Sequence, residues 1–293
     1  MGAMNAYCSQ RMFHKMKIRI KLIIILLFGL VSSINAESIQ SHGQPIFDAH
    51  IHYSHDVWDA ISPQDAIRRL REAGITRAMV SSTSDDGTQR LYQAAPEFVI
   101  PVLRPYRKRG TLKTWMHDET VIPYLKERLA RYRYVAIGEF HIEDEQANLP
   151  VIRQLVQLAK QHKLMLHVHS DAKAIAYIFE QDPDAKILWA HGGFEYAYVI
   201  REMFEKHENL WADLSFRREI YNNNRFLQDW QALLIDHADR FMLGIDTYTP
   251  QRWLKVKSVM RWQRQLLKAL PEEVARQIGH ENGERVIASR FNK

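Results

Sequence analysis

The chain is almost without cysteine: Cys8 is the single one among 293 residues. No intrachain disulfide can form, even in an oxidising compartment. The residues before Cys8 are not an apolar core, which argues against lipidation of that thiol. Long hydrophobic runs are also scarce. The strongest, around Leu22 to Val31, has an apolar core of about 14 residues, short of the roughly 20 that a spanning helix needs. No glycine-rich phosphate loop of the Rossmann or Walker type follows an early strand, and no internal repeat or low-complexity linker is seen.

What the first 36 residues do contain is the layout of a secretory signal peptide. Arg11, Lys15, Lys17, Arg19 and Lys21 precede the apolar run, and Ser32-Ser33-Ile34-Asn35-Ala36 offers a small-residue cleavage site. The expectation is cleavage after Ala36 and export to the periplasm or medium, without stable membrane insertion; a retained anchor is the alternative. The formal charge of +6 then changes meaning. With the five basic leader residues removed, 35 basic residues face 34 acidic ones, leaving about +1. No basic tract remains as a footprint for nucleic acid.

From residue 37 to 293 the pattern is that of one domain. Segments 46–51, 76–81, 98–103, 134–139, 164–168, 186–190, 210–214 and 241–245 read as short apolar strands. Helical periodicity lies between them near 63–73, 119–131, 150–161, 172–182, 196–207 and 226–237, with 85–97 the weakest helix. Ser62-Pro63-Gln64-Asp65 marks one helix start, and Gly74 a helix end. Eight strands alternating with helices over roughly 240 residues predict an α/β fold, a (β/α)8 TIM barrel; an open doubly wound sheet is the alternative. The stretch from Pro250 to Leu270 reads as a helix with Trp253, Val256, Val259, Met260, Trp262 and Leu266 on its packing face, and a second is expected from Pro271 to near Gly279.

The polar residues at the strand ends carry the functional signal. Asp48, His50 and His52 alternate on strand one and so share a face. Glu139 ends strand four, His167 and His169 end strand five, His191 follows strand six and Asp246 follows strand eight. In a (β/α)8 barrel these ends converge on one mouth. Imidazoles and carboxylates gathered there suit Zn2+, with Mn2+ or Fe2+ as alternatives, at a centre of one or two ions. A bound ion lowers the pKa of water and polarises a substrate oxygen. Singly, each residue has an ordinary structural role open to it: Asp246 as a cap, Glu139 as a surface carboxylate, either strand-five histidine as an orienting group. His141 follows Glu139 closely, where two places are open to it: the mouth of the barrel or the loop beyond strand four. Arg104, Arg217, Arg218 and Tyr248 stand at the same rim, where an arginine binds an anionic group or braces a loop. Tyr53, Trp58 and Phe194 are further aromatic candidates for the pocket wall.

The segments DAHIHY (48–53), AIGEFH (136–141), LMLHVHSDA (164–172), ILWAHGGF (187–194) and MLGIDTY (242–248) together resemble the amidohydrolase superfamily. The likeness is to its amidohydrolase-related branch, with secondary TatD-like features. The resemblance implies His50, His52, His167 and Asp246 as metal ligands, with Glu139 and His191 as ligands of a second ion. It implies Asp246 and His191 as the catalytic pair, and leaves His169, Arg104, Arg217 and Tyr248 to the substrate. No lysine stands at the end of strand four, so a carboxylated-lysine bridge is not expected. The activity implied is metal-dependent hydrolysis of an ester, lactone, amide or phosphoester in a small, anionic substrate. A nonoxidative decarboxylase and a non-catalytic periplasmic metal-binding protein are the alternatives, and a homo-oligomer is open.

Overall fold

A computed structural model describes residues 43–291; the leader expected over 1–36 lies outside them. The barrel strands, in chain order, are β1 (Ile46–Ile51), β2 (Ile75–Val80), β3 (Val99–Leu103), β4 (Ala136–His141), β5 (Met165–His169), β6 (Ile187–Trp189), β7 (Leu210–Asp213) and β8 (Phe241–Met242). They follow one another around the sheet, and every neighbouring pair is parallel. The ring closes where Asp48 bridges Leu243 and Ala49 N donates to Leu243 O at 2.8 Å. A short antiparallel hairpin, Tyr221–Asn222 with Arg225–Phe226, sits in the connection after β7.

Two apolar layers hold this arrangement. The larger lies between strands and helices, where parallel strands covered on their outer face read as continuous hydrophobic runs. The smaller gathers Phe47, Met79, Val102, Ala136, Met165, Leu188 and Met242. Residues from so many strands meet only inside the barrel. Ile287, on the final helix Asn282–Phe291, joins them. Because Phe47 and Met165 lie at strand starts, that helix closes the end away from the strand C-termini. Among the described residues no helix is long and apolar enough to cross a membrane.

The helices start and stop for local reasons. Helix Pro63–Glu72 begins where Ser62 Oγ accepts from Asp65 N at 3.1 Å, with proline in its first turn. Helix Pro150–Gln161 coincides with its sequence expectation. Helix Asp86–Ala94, weak in the sequence, owes its place to tertiary contacts. Its Gly87 admits the carbonyl of Tyr53, which a Cβ would meet at 1.9 Å. The buried Asp85 just before it accepts from Arg128 Nε at 2.8 Å and from the Tyr134 hydroxyl at 2.6 Å. The stretch after residue 250 forms two helices, Pro250–Leu254 and Val256–Lys268, whose tryptophans brace the barrel. Trp253 Nε1 donates to His52 O and Trp262 Nε1 to Tyr221 O.

Removing Asp85 would leave the buried Arg128 guanidinium with only the exposed Asp86 carboxylate, at 3.2 Å, as counter-charge. Asp85→Ala is expected to lower unfolding free energy by about 3–5 kcal/mol, read as a fall in the urea midpoint at unchanged slope. A loss within about 0.5 kcal/mol of wild type would show that the pair is not a structural anchor.

Candidate metal centre

The strand ends bring six of the sequence candidates into one buried cluster. His50 and His52 come from β1, Glu139 from β4, His169 from β5, His191 follows β6 and Asp246 follows β8. Local backbone devices aim several of them. Glu139 is the extra residue in an irregularity of the β4–β5 ladder, between Gly138 and Phe140. Gly138 is required there, because a Cβ would stand 2.2 Å from His167 O. His191, Gly192 and Gly193 all take left-handed backbone angles, which turns the chain sharply as β6 ends. β8 ladders to β7 only as far as Met242; the chain then runs on beside β1, bridged at Leu243, until Asp246 N donates to His50 O at 2.7 Å.

The proton positions follow from the partners. A carbonyl oxygen, Ser81 O, lies 2.5 Å from His52 Nδ1, so that nitrogen carries the hydrogen. His50 Nδ1 faces the Asp213 carboxylate at 3.1 Å, and His191 Nδ1 faces Ser215 O at 3.0 Å, with the same consequence. In the neutral rings all three Nε2 atoms are therefore lone pairs directed into the cluster. His50 Nε2 and His52 Nε2 stand 3.0 Å apart. Two lone pairs at that distance repel each other unless a positive charge lies beside them. Glu139 Oε2 is 3.2 Å from His52 Nε2, as is Asp246 Oδ1, which is buried without a hydrogen-bond partner. Donors of this type, converging on one point, fit a divalent cation. A second group, Glu139 Oε1 with His169 Nδ1 at 2.9 Å and His191 Nε2 at 3.8 Å, adjoins the first. Glu139 faces one group with each oxygen.

Solved structures share this architecture. A probable 2-pyrone-4,6-dicarboxylic acid hydrolase from Acinetobacter baumannii aligns at TM-score 0.59 and 12% identity, over 83% of this chain and 99% of its own. A TatD homologue from Escherichia coli K12 aligns at 0.59 and 17%, over 85% and 98%. An amidohydrolase from Burkholderia multivorans with bound zinc aligns at 0.54 and 13%, over 83% and 99%. The shared fold is the (β/α)8 barrel. At these identities the likeness is one of fold. No family model matches the sequence, and no curated protein sequence does.

Around the cluster opens a cleft of about 570 Å³, within the usual range of small-molecule sites. Arg104, Lys108 and Arg109 line it, together with Tyr106, Phe194, Phe216 and Tyr248. The acidic residues of its lining are Glu139 and Asp246, both in the metal cluster. Arg104 reaches the cleft, but its guanidinium is committed to Glu139 at 2.8 Å. Arg217 does not line the cleft, which corrects its expected contact with substrate. It is buried behind the site, where it donates to His191 O and Glu195 O and braces the turn that carries His191. Tyr53 is likewise buried away from the cleft, its hydroxyl donating to Ile61 O. His167 belongs to a further buried group with His50 and Asp213, its Nε2 facing Asp213 Oδ2 at 3.4 Å, and lies outside the two groups around Glu139.

Sequence reasoning passed over Asp213 and Ser215, at the end of β7. Asp213 fixes His50, and Ser215 N and Oγ donate to Asp213 Oδ1. With Oγ donating there, its lone pair receives His191 Nδ1–H at 2.7 Å. The same strand-end rule that located Glu139 could have located Asp213. Burial alone would keep Asp213 protonated, but the charge on His50 and hydrogen bonds from His167 and His50 hold its pKa well below the ordinary 3.8. Burial also works against a charged His50, yet Asp246, Asp213 and Glu139 together hold its pKa well above 6.5.

Two outcomes follow. Asp213→Asn is expected to weaken metal binding by about 10–100-fold, through loss of the carboxylate behind His50; isothermal titration with Zn2+ measures it, and an unchanged affinity would refute the role. In the metal-free protein at neutral pH, His50 holds a proton that a bound cation must displace. Affinity should therefore rise with pH above neutrality by about tenfold per unit, until the pH passes the raised pKa. Titrations in buffers of differing ionisation enthalpy count the released proton.

Proposed function

We propose that the protein is a metal-dependent hydrolase whose two-ion centre would be held by His50, His52, Glu139, His169, His191 and Asp246. The observation that carries this is the pair of facing His50 and His52 Nε2 atoms, flanked by the unpaired Asp246 Oδ1 and by Glu139 Oε2 at the floor of an open cleft. We assign His50, His52 and Asp246 to one ion and His169 and His191 to the other. His169 takes the strand-five ligand place in preference to His167, because it is His169 that reaches Glu139. Zn2+ suits this mixture of imidazole and carboxylate, and Mn2+ or Fe2+ would also be accepted.

Divalent ions in these places supply Lewis acidity and water of lowered pKa. The chain's own groups do the rest. Burial opposes ionisation of Asp246, but His50 and His52 hold its pKa at about 2, so it enters the reaction as a carboxylate able to accept a proton. Ser215 orients His191 so that Nε2 faces inward. Arg104 fixes Glu139 from the other side. The cationic wall away from the metal cluster, Lys108 and Arg109, favours a small anionic ester, lactone, amide or phosphoester. Arg109 is held by Asp56 and by Tyr248 O at 2.8 Å, which leaves Lys108 as the cation for the substrate. With Arg217 outside the cleft, the decarboxylase alternative loses the carboxylate anchor that distinguished it. The basic and apolar leader with Ala36 at its end supports export to the periplasm or medium.

The zinc-loaded protein should hydrolyse members of a panel of anionic esters, lactones and phosphoesters. Prolonged chelation and His50→Ala should each remove that activity. A fully loaded protein with no turnover on any member would count against the enzyme reading, and carbon dioxide release without a hydrolytic product would replace it by decarboxylation. Lys108→Met is expected to raise KM about two- to fivefold for anionic substrates, with kcat kept, as for an exposed ion pair. An equal effect on neutral analogues would remove Lys108 from substrate binding.

A further inference from the structure

Tyr106 and His141 are joined by two hydrogen bonds that allow one arrangement of protons. The backbone N–H of His141 donates to the Tyr106 hydroxyl oxygen, since an amide nitrogen has no lone pair to offer. The same oxygen lies 2.9 Å from His141 Nδ1. Tyr106 is buried, and a hydroxyl proton left there without an acceptor is costly. Its proton therefore goes to Nδ1. Neutral His141 then carries its own hydrogen on Nε2.

The ring is held in place. It stacks on His169 with centroids 4.0 Å apart, and the His141 carbonyl accepts from Trp115 Nε1 at 2.9 Å. Nε2 stands 3.9 Å from Glu139 Oε1, beyond hydrogen-bonding reach, and has no hydrogen-bond partner among the described residues. The side chain is 26% exposed, and it lines the same cleft as Glu139, His169, His191 and Asp246. The wall beside the metal cluster thus carries an oriented donor that lacks an acceptor.

We propose that His141 is a further substrate-contacting residue, its Nε2–H donating to a substrate oxygen bound beside Glu139 while Tyr106 holds the tautomer. This rests on the hydrolase reading and assigns one more group within it. Negative charge grows on a carbonyl or phosphoryl oxygen as the nucleophile adds, and a fixed donor there favours that state over the ground state. With its lone pair turned to Tyr106, His141 cannot also take a proton from water. That task stays with Asp246.

The test has two independent arms. Long-range 1H–15N correlation spectra of the imidazoles in the zinc-loaded protein should show a protonated Nε2 and a bare Nδ1 for His141, assigned by its loss in His141→Gln. The reverse tautomer would overturn the proposal. Inorganic phosphate then serves as the probe, titrated into zinc-loaded wild type, His141→Leu and His141→Gln. His141→Leu should weaken phosphate binding roughly tenfold, and His141→Gln, which restores an N–H, by less than about threefold. Zinc affinity should be the same in all three. Unchanged phosphate binding in His141→Leu would overturn the proposal, as would loss of zinc from either variant, which would make His141 part of the metal centre. If His141→Leu does not fold, His141→Gln and the wild-type spectrum still decide. Failure of wild type to bind zinc would sink the hydrolase reading, whereas a wrong tautomer would sink only the role of His141.

Discussion

Negative charge buried without water has to be answered by positive charge close by, and most of this molecule's upper face is arranged around that demand. Glu139, Asp213 and Asp246 are each at most 6% exposed. Three imidazole lone pairs point among them, because every Nδ1–H has been drawn outward to a carbonyl or a carboxylate. Only a cation, whether a proton on His50 or a metal ion, reconciles these groups. The strand ends, the glycine turn at 192–193 and the irregularity at Glu139 are the means by which a long chain delivers the groups to one point.

Much of this could be read from the residues. Strand β1 lies where its alternation placed it, because six consecutive residues buried on both faces leave little freedom of register. Helices Pro63–Glu72 and Pro150–Gln161 were legible because a cap or a proline marks their starts. Asp86–Ala94 was hard to read, since its stability comes from Arg128 and Tyr134, which lie far along the chain. The expected eighth strand, 241–245, is shorter in the structure: no local signal foretells that the chain leaves its ladder with β7 after Met242 and keeps only β1 as neighbour on the way to Asp246. Similarly, the sequence leaves His141 open between the mouth and a loop, because β4 is expected to stop at Glu139. One added residue in the ladder carries the strand on to His141.

The arginines teach a related lesson. At the sequence level Arg104 and Arg217 look equivalent, each a cation just past a strand end. Their destinations differ because a guanidinium goes where acceptors are. Arg217 finds two backbone carbonyls at a strained turn, and Arg104 finds a carboxylate. Neither is left over for a ligand. Such assignments depend on where several unpaired acceptors come to lie, which no linear pattern encodes. His167 and His169 show the same point on a smaller scale: they share one face of β5, yet one reaches the buried carboxylate of β7 and the other the carboxylate of β4.

The barrel is a ring, and a ring has a seam. Here the seam lies between β1 and β8, where few ladder bonds are made and where Asp246 N meets His50 O. Asp246 and the two β1 histidines stand on opposite sides of that join. An ion gripped by all three is therefore a clasp across the weakest joint of the wall. Such an ion would make that join harder to open, so that occupancy of the site and closure of the fold would be linked.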